Sequence, residues 1–584
     1  MLEKRYFIVE LVKITTEVTN TTSLNKNSFM KAFIQIFSFL CLATSAFPLL
    51  AQKQAPLDNN ANIDWSAEYN EPNNSFLSKV VHYDEAGFYA LRVQNLGTKR
   101  ENPKVYIEYY DKQQMKLKKS AELDLKFKKK TRDFEDLIVV GDNMYLLTSF
   151  NNQAKKKNYL FAQSVSLSSL RPSQKLIKLA EVETKNAYQE GGFRHHLSKD
   201  DSKVLIYSVL PKQKKEPERF YLQVFDNQLN ALWEKKVRLP FNDDRFSVEE
   251  YQVDNEGNVY MLGVVYQDKT RFRRGGKPTY QYVVLAYRED GEAVEEYKVN
   301  LNEKFITDLT FRVAKNGDLV FSGFYSELGT YSVKGTYFFR LNPTTKEIYN
   351  KNLKAFDFDF LTEFLSEKQT NKAKKAAQKG NVPELYQYSL DDLILRSDGG
   401  AVLVAEQYYV ERRYNNDNYY SNVGFGGFNR FNRFGPFYSP YNNNFNDDYE
   451  YHYNDIIVVN IQPNGEIEWT ARVPKQQITT NDGGYFSSYA MSIVKDKFYF
   501  VYNDNYKNFD PSKKGKFYSF SGRNAVITLA EINKNGTVVI NPLFSDTDAS
   551  ITTRPKVCKQ IGRDEMLIYG ERGRNYRFGN LIFE

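Results

Sequence analysis

Cysteine, histidine and tryptophan are scarce in this chain: 2, 4 and 3 residues among 584. Two cysteines cannot build a disulfide framework, and four histidines leave few ways to assemble a metal centre. Familiar catalytic signatures are missing as well: there is no P-loop, no HExxH, no CxxC pair and no GxSxG elbow. Outside residues 32–50 no run is long and apolar enough to cross a membrane as a helix. Neither sign of charge dominates, with 80 Lys+Arg against 72 Asp+Glu. What is abundant is aromatic: 43 Tyr and 43 Phe. A chain this rich in aromatic and apolar residues has the material for a large packed core and is not disordered in bulk.

Residues 30–51 read as a secretory signal peptide. Met30 and Lys31 precede an apolar run, and Ala51 offers a small residue at the cut, with Ala46 as the alternative site. An uncleaved anchor is the competing reading. Residues 1–29 read as a mis-assigned start, and 52–62 as a linker. Ser38-Phe39-Leu40 lacks the small residue expected before a lipidated Cys41. The expected location is therefore outside the cytoplasm: periplasm, outer-membrane surface or extracellular medium. Cys558 is the one cysteine left after cleavage, and it reads as a buried apolar residue rather than a nucleophile.

From residue 63 to 584 one pattern recurs. A short apolar-alternating run meets a turn of Asp, Asn, Lys and Gly, then a second run rich in Val, Tyr, Leu and Phe. LIVVGDNMYLLTSF from Leu137, YQVDNEGNVYMLGVVY from Tyr251 and FRVAKNGDLVFSGFY from Phe311 are three of eight such hairpins. Between them sits a second hairpin, as in YVVLAYREDGEAVEEYKVNL from Tyr282. Early turns step by roughly 55–60 residues, a period typical of propeller or solenoid repeats. Turns such as Asp290-Gly291 and Asn535-Gly536 supply the positive φ that tight hairpins need. Each unit thus has four strands, A to D, which makes one propeller blade.

Eight A–B hairpins accompany only seven complete C–D hairpins. The last unit stops after its third strand, Arg577 to Phe583, and Ile63 to Tyr69 looks like an orphan fourth strand. Its Trp65 matches Trp233 and Trp469 in other D strands. The predicted fold is all-β: an eight-bladed β-propeller closed by its N-terminal strand, with seven blades as the alternative. An open ring would expose sheet edges.

The segment Asp254 to Gly263 (DNEGNVYMLG), together with strands of the Val224-Phe225-Asp226 type, resembles the blades of NHL and quinoprotein-like propellers. That resemblance implies a fold and brings no active site. The tryptophan-docking signature of quinoprotein blades is missing, so no cofactor is expected. An Asn-, Lys- and Tyr-rich composition with a leader ending Leu-Leu-Ala-Gln resembles exported proteins of Bacteroidetes-type bacteria.

Two insertions break the rhythm. Residues 358–380 read as a helix stopped by Gly380. Residues 413–454 are rich in Asn, Gly, Tyr, Phe and Arg, and read as a low-complexity loop between strands B and C of the sixth blade. In a propeller the A–B and C–D turns share one face, and the B–C and D–A connections share the other. Here the first set is short and the second holds every long connection. Loops carry function on rigid scaffolds, so the second face is the candidate working face.

Its B–C loops are basic: Lys155, Lys156 and Lys157; Lys212, Lys214 and Lys215; Arg271, Arg273 and Arg274; Arg412 and Arg413; Lys513, Lys514 and Lys516. Acidic residues are expected just before the inner A strands: Glu135, Asp136, Glu249, Glu250, Asp308, Asp391 and Asp392. Arg194, His195 and Arg554 take similar places. The pattern describes a charged collar at the channel mouth inside a basic rim, which would form a steering field. Charged loop tips that merely keep the chain soluble are the plainer reading. His195 and His196 alternate across a strand and cannot both face one site, which favours structural roles. Asp447, Asp448, Glu450, His452 and Asp455 have metal-ligand chemistry but lie in the Tyr/Asn-rich segment, where a solvated loop is the expected reading and no metal is expected.

The function these features favour is a non-catalytic, monomeric binding scaffold. It would recognise a protein or glycan, not nucleic acid, through the long-loop face. A propeller hydrolase or lyase acting on a polysaccharide or lactone is the rival, and it requires two carboxylates that converge on one pocket. A structural subunit of an envelope or secretion machine is the third reading.

Overall fold

A computed structural model describes residues 61–95, 103–127, 129–184, 191–210, 217–242, 245–267, 272–301, 303–413, 420–422, 448–513, 516–522, 525–543 and 551–584. The proposed leader and everything before residue 61 lie outside this range.

Eight principal antiparallel sheets follow one another along the chain. Their inner strands are Ser75–Tyr83, Asp133–Val140, Gly192–Leu197, Phe246–Val253, Phe305–Val313, Tyr388–Leu395 and Ala490–Val494, with Thr552–Thr553 and Lys559–Gln560 sharing that place in the last sheet. In each of the first seven the strands pair in chain order, A to D. The alternation seen in sequence works differently here from a one-sided sheet: both faces of a blade pack on neighbouring blades. Hence strands such as Leu319–Ser326 are buried at every position.

Among the described residues eight apolar clusters each span one blade interface, and a small ninth joins Phe76 and Val93 of blade 1 to Tyr485. That between blades 4 and 5 holds Tyr260, Leu262, Phe311 and Phe321, and that between blades 6 and 7 holds Val404, Val458, Phe500 and Tyr502. The cluster of Leu77, Phe88, Tyr110, Tyr569 and Phe578 joins blade 1 to blade 8, which makes the structure a closed ring.

The N-terminal strand closes it. Ala61–Trp65 pairs antiparallel with the last strand, Ile63 opposite Leu581 and Trp65 opposite Gly579. The pairing breaks at Ser66, whose amide donates to the Phe578 carbonyl (2.8 Å) and whose hydroxyl accepts from the Phe578 amide (3.1 Å). It resumes at Tyr69–Asn70. Gly579 leaves room for these side chains: a Cβ there would lie 2.6 Å from Ile63 Cδ1 and 2.9 Å from Trp65 Cε3, so both would have to shift. Trp65 stacks within its own blade, under the Arg577 guanidinium. Trp233 and Trp469 dock differently, on the turns of the next blade. Trp233 Nε1 donates to the Gly257 carbonyl (2.9 Å) and its ring covers Gly291. Trp469 Nε1 donates to Lys534 O (2.8 Å) over Gly536.

The 358–380 insertion forms two short helices rather than one, Phe358–Thr362 and Glu367–Ala377. Two N-caps explain the division. The Asp357 carboxylate accepts from Phe360 N (2.7 Å), and Ser366 with Gln369 makes a capping box that starts a second helix. The sixth-blade insertion does leave from strand B (Ala401–Arg413) and return into strand C (Asp448–Ile461). Its last residues, 448–454, belong to strand C, and 423–447 lie outside the described residues.

Candidate functional site

The inner strands of blades 1, 2, 4, 5 and 6 each carry a β-bulge near the loop-rich end. In blade 2, Leu147 faces Asp136 and Thr148 faces Phe134, so Glu135 is the extra residue. Glu249, Thr307 and Asp391 take the same place in blades 4, 5 and 6. A bulge re-aims the side chain that follows it. The residues so aimed are Lys79, Asp136, Glu250, Asp308 and Asp392. Three of the carboxylates also accept from the next amide of their own strand: Asp136 from Leu137, Asp308 from Leu309 and Asp392 from Leu393 (2.8–2.9 Å).

Most of these groups are tied across blade boundaries. Lys79 Nζ lies 2.6 Å from Asp136 Oδ1, and His195 Nε2 lies 3.4 Å from Asp136 Oδ2, which links blades 1, 2 and 3. Arg312 donates to Glu250 (2.9 Å) and to Asp392 (2.7 Å), which links blades 4, 5 and 6. Glu250 also accepts from Thr310 (3.0 Å) and Gln252 (2.8 Å). Asp308 accepts the Leu390 amide from the next blade (2.8 Å), and Asp391 accepts the Tyr489 hydroxyl (2.6 Å). The collar expected from sequence is therefore a set of inter-blade clasps.

His195 and His196 do face different ways, the first toward Asp136 of blade 2 and the second toward Glu250 of blade 4. Burial lowers both imidazole pKa values, that of His196 to about 4, with the neighbouring carboxylate opposing in each case. Arg194 lies on the same strand. Arg554 is buried at the seam of blades 7, 8 and 1: it donates to Leu77 O, stacks on Tyr485 at 3.8 Å and lies 3.5 Å from Glu571. The Cys558 thiol is pushed up to about 12 by burial and contacts backbone groups of Arg554 and Tyr569, which is no setting for a nucleophile.

The basic rim is partly visible. Lys155 and Lys156 are exposed at a tight B–C turn, while Lys157 pairs with Glu181 (2.6 Å). Arg273 and Arg274 stand exposed on a small hairpin, and Arg273 donates to Leu328 O (3.1 Å). Arg271, Lys212, Lys214, Lys215 and Lys514 lie outside the described residues.

Two features went unread in the sequence. The first is an ion pair with no exposure at all, Lys475 with Glu406 (2.7 Å). Ser488 donates to that carboxylate, and Tyr453 O and Gln477 accept from the ammonium. The second is apolar exposure on the loop-rich face. Leu328 and Tyr331 of the fifth B–C loop, with Val382 and Tyr386 of the following D–A connection, are exposed. The short strands Ser332–Val333 and Leu385–Tyr386 zip the two loops together. Scattered along the sequence, these four residues carry no signal until that pairing joins them.

No family model and no curated protein matches the chain. Among solved structures it is similar to the WD40 domain of SCAP from fission yeast, with 9% identity over 92% of this chain and 98% of that one, at a TM-score of 0.35. The β-propeller domain of the Trilobed protease from Pyrococcus furiosus matches at 10% identity, covering 82% and 98%, TM-score 0.33. Prolyl oligopeptidase B from Galerina marginata matches at 9% identity, covering 86% of this chain and 55% of its own, TM-score 0.35. Likeness at that level carries no argument about function. The propeller architecture rests on the sheets themselves, and a propeller alone selects neither binding nor catalysis.

Proposed function

We propose that this chain is a non-catalytic binding scaffold, working outside the cytoplasm, that recognises a protein partner through the loop-rich face of blades 4 to 6. The observation that carries this reading is the exposed set Leu328, Tyr331, Val382 and Tyr386 beside Arg273 and Arg274. Exposed apolar and aromatic side chains bordered by arginine are the composition of a protein interface. Aliphatic surface at Leu328 and Val382 favours a protein over a glycan. The ion pairs of the inner-strand carboxylates weigh against the hydrolase reading: Asp136 is engaged with Lys79, and Glu250 and Asp392 meet at Arg312, which occupies the space between them.

The test compares two triple variants against the partner that co-purifies with the native chain. Leu328→Ser/Tyr331→Ser/Tyr386→Ser is expected to weaken binding of the purified partner at least tenfold. Leu232→Ser/Val294→Ser/Ile348→Ser, exposed at the tight-turn end, is expected to leave it unchanged. Equal affinities for both variants would overturn the reading.

A further inference from the structure

The second helix of the 358–380 insertion has no share in the core. Its 11 residues, Glu367–Ala377, include none that is buried. A helix of that length is marginal in water unless something supports it. Helix-forming Ala, Lys, Gln and Glu and the capping box at Ser366 support this one. Its anchors lie on its N-terminal side. Phe360 packs against Phe356 with ring centroids 4.6 Å apart, and Arg472 of blade 6 donates to Phe360 O (3.0 Å) and lies 4.5 Å over the Phe364 ring.

What this helix and its end show to solvent is positive. Lys372, Lys374, Lys375 and Lys379 are exposed, and none of the four side chains has a partner among the described residues. Lys372 and Lys375 are three apart and Lys375 and Lys379 four apart, so like charges sit side by side along one face and repel. The helix dipole favours the cations of the last turn, Lys374 and Lys375, and does not account for Lys372. The helix's own acid, Glu367, stands in the first turn. Carboxylates of the neighbouring loops are taken: Glu327 holds Lys304 (2.7 Å) and Lys334 (2.5 Å), Glu303 holds Lys277, and Glu384 accepts from Ser326 (2.5 Å).

The helix leads into the exposed apolar set. Lys379 precedes Val382 by three residues, no more than about 11 Å of chain. Leu385–Tyr386 then zips to Ser332–Val333. On the other flank Arg273 is bonded to Leu328 O, and the adjacent Arg274 is exposed with no side-chain partner among the described residues. Apolar surface between two sets of unanswered cations complements a surface that is apolar and acidic together.

Resting on the protein-binding reading above, we propose that the partner's contacting segment is acidic. Its carboxylates lie along Lys372, Lys375 and Lys379 and reach Arg274, while its apolar side chains cover Leu328, Val382 and Tyr386. The exposed cations steer the acidic segment and fix its register, and the apolar centre holds it. Docking also relieves the repulsion along the lysine face, which the fold leaves unanswered.

The probe is a short fluorescent peptide alternating Glu and Leu, with a counterpart carrying Gln in place of Glu, each titrated into the full chain by anisotropy. The Glu peptide is expected to bind more tightly than the Gln peptide and to lose affinity steeply between low and physiological salt. Lys372→Gln/Lys375→Gln/Lys379→Gln, which keeps helix-forming residues, is expected to weaken the Glu peptide about tenfold and to flatten its salt dependence. Lys199→Gln/Lys315→Gln/Lys495→Gln removes the same charge from exposed positions in the tight A–B turns and is expected to leave binding unchanged. Equal binding of the two peptides, or equal effects of the two lysine sets, overturns the acidic partner. So does binding to phosphatidylserine vesicles through the same three lysines with no binding of the Glu peptide. In each of these cases loss of the co-purifying partner on Leu328→Ser/Tyr331→Ser/Tyr386→Ser still upholds the protein-binding reading, so the two fail separately.

Discussion

Blades 6 and 7 handle a buried carboxylate in two opposite ways. At Glu406 the carboxylate is sealed from solvent and meets Lys475, Ser488 and a full set of hydrogen bonds. The opposite answer lies next door on blade 7. Asp504 is buried near Lys475, yet the lysine is committed to Glu406. Burial pushes the Asp504 carboxyl up to about 7, against the lowering effect of the Asn505 amide and the Asn508 side chain. Burial alone thus does not decide what a carboxylate does. It is neutralised by a chain cation or by a proton, according to which neighbour the packing supplies.

Breaking the sealed pair is expected to have the largest effect. Lys475→Met strands a charge in the core and should cost about 3–5 kcal/mol in denaturant unfolding. The double change Lys475→Met/Glu406→Leu should recover much of that loss. An unchanged midpoint for Lys475→Met would mean that the pair contributes nothing.

Asp504 sharpens the comparison through pH. Its folded pKa is raised from 3.8 to about 7, so the folded chain binds the proton more tightly than the unfolded chain. The stability this group contributes is complete below about pH 4, falls as pH rises toward 7 and is flat above that. Asp504→Asn should remove that segment from the stability–pH curve, a difference on the order of a few kcal/mol across the window. Parallel curves for the two proteins would contradict the assignment.

The smallest effect is expected at the inner strands. Arg312 is partly solvated, and surface-screened ion pairs are weak. Arg312→Met should therefore cost about 1 kcal/mol or less, although it releases both Glu250 and Asp392. A loss as large as that of Lys475→Met would mean that the clasps, rather than the apolar blade interfaces, hold the ring.

Much of the fold could be read directly. Turn glycines, period-two runs and one orphan strand were enough for eight blades, their order and a closing N-terminal strand, because each of those features is local or repeated; the partner of Phe583 itself is Ala61, which read as linker. The division of the 358–380 insertion into two helices needed the caps at Asp357 and Ser366, which composition blurs. The site was less legible. Sequence singled out Glu135 and Asp136 alike, and only the bulge at Glu135 selects Asp136 for Lys79. Lys475 looked like any strand lysine, because its partner Glu406 lies 69 positions away in the chain. The sequence by itself determined the repeat and the strands, since hydrophobic alternation and turn chemistry act over a few residues; it did not show that the eleven-residue connection 166–176 of blade 2 joins strands C and D, on the face expected to hold only short turns. Only the tertiary structure decided the partner of each charged group. Those partners come from other strands and other blades, and a bulge of one residue is enough to swing a side chain from one neighbour to the next.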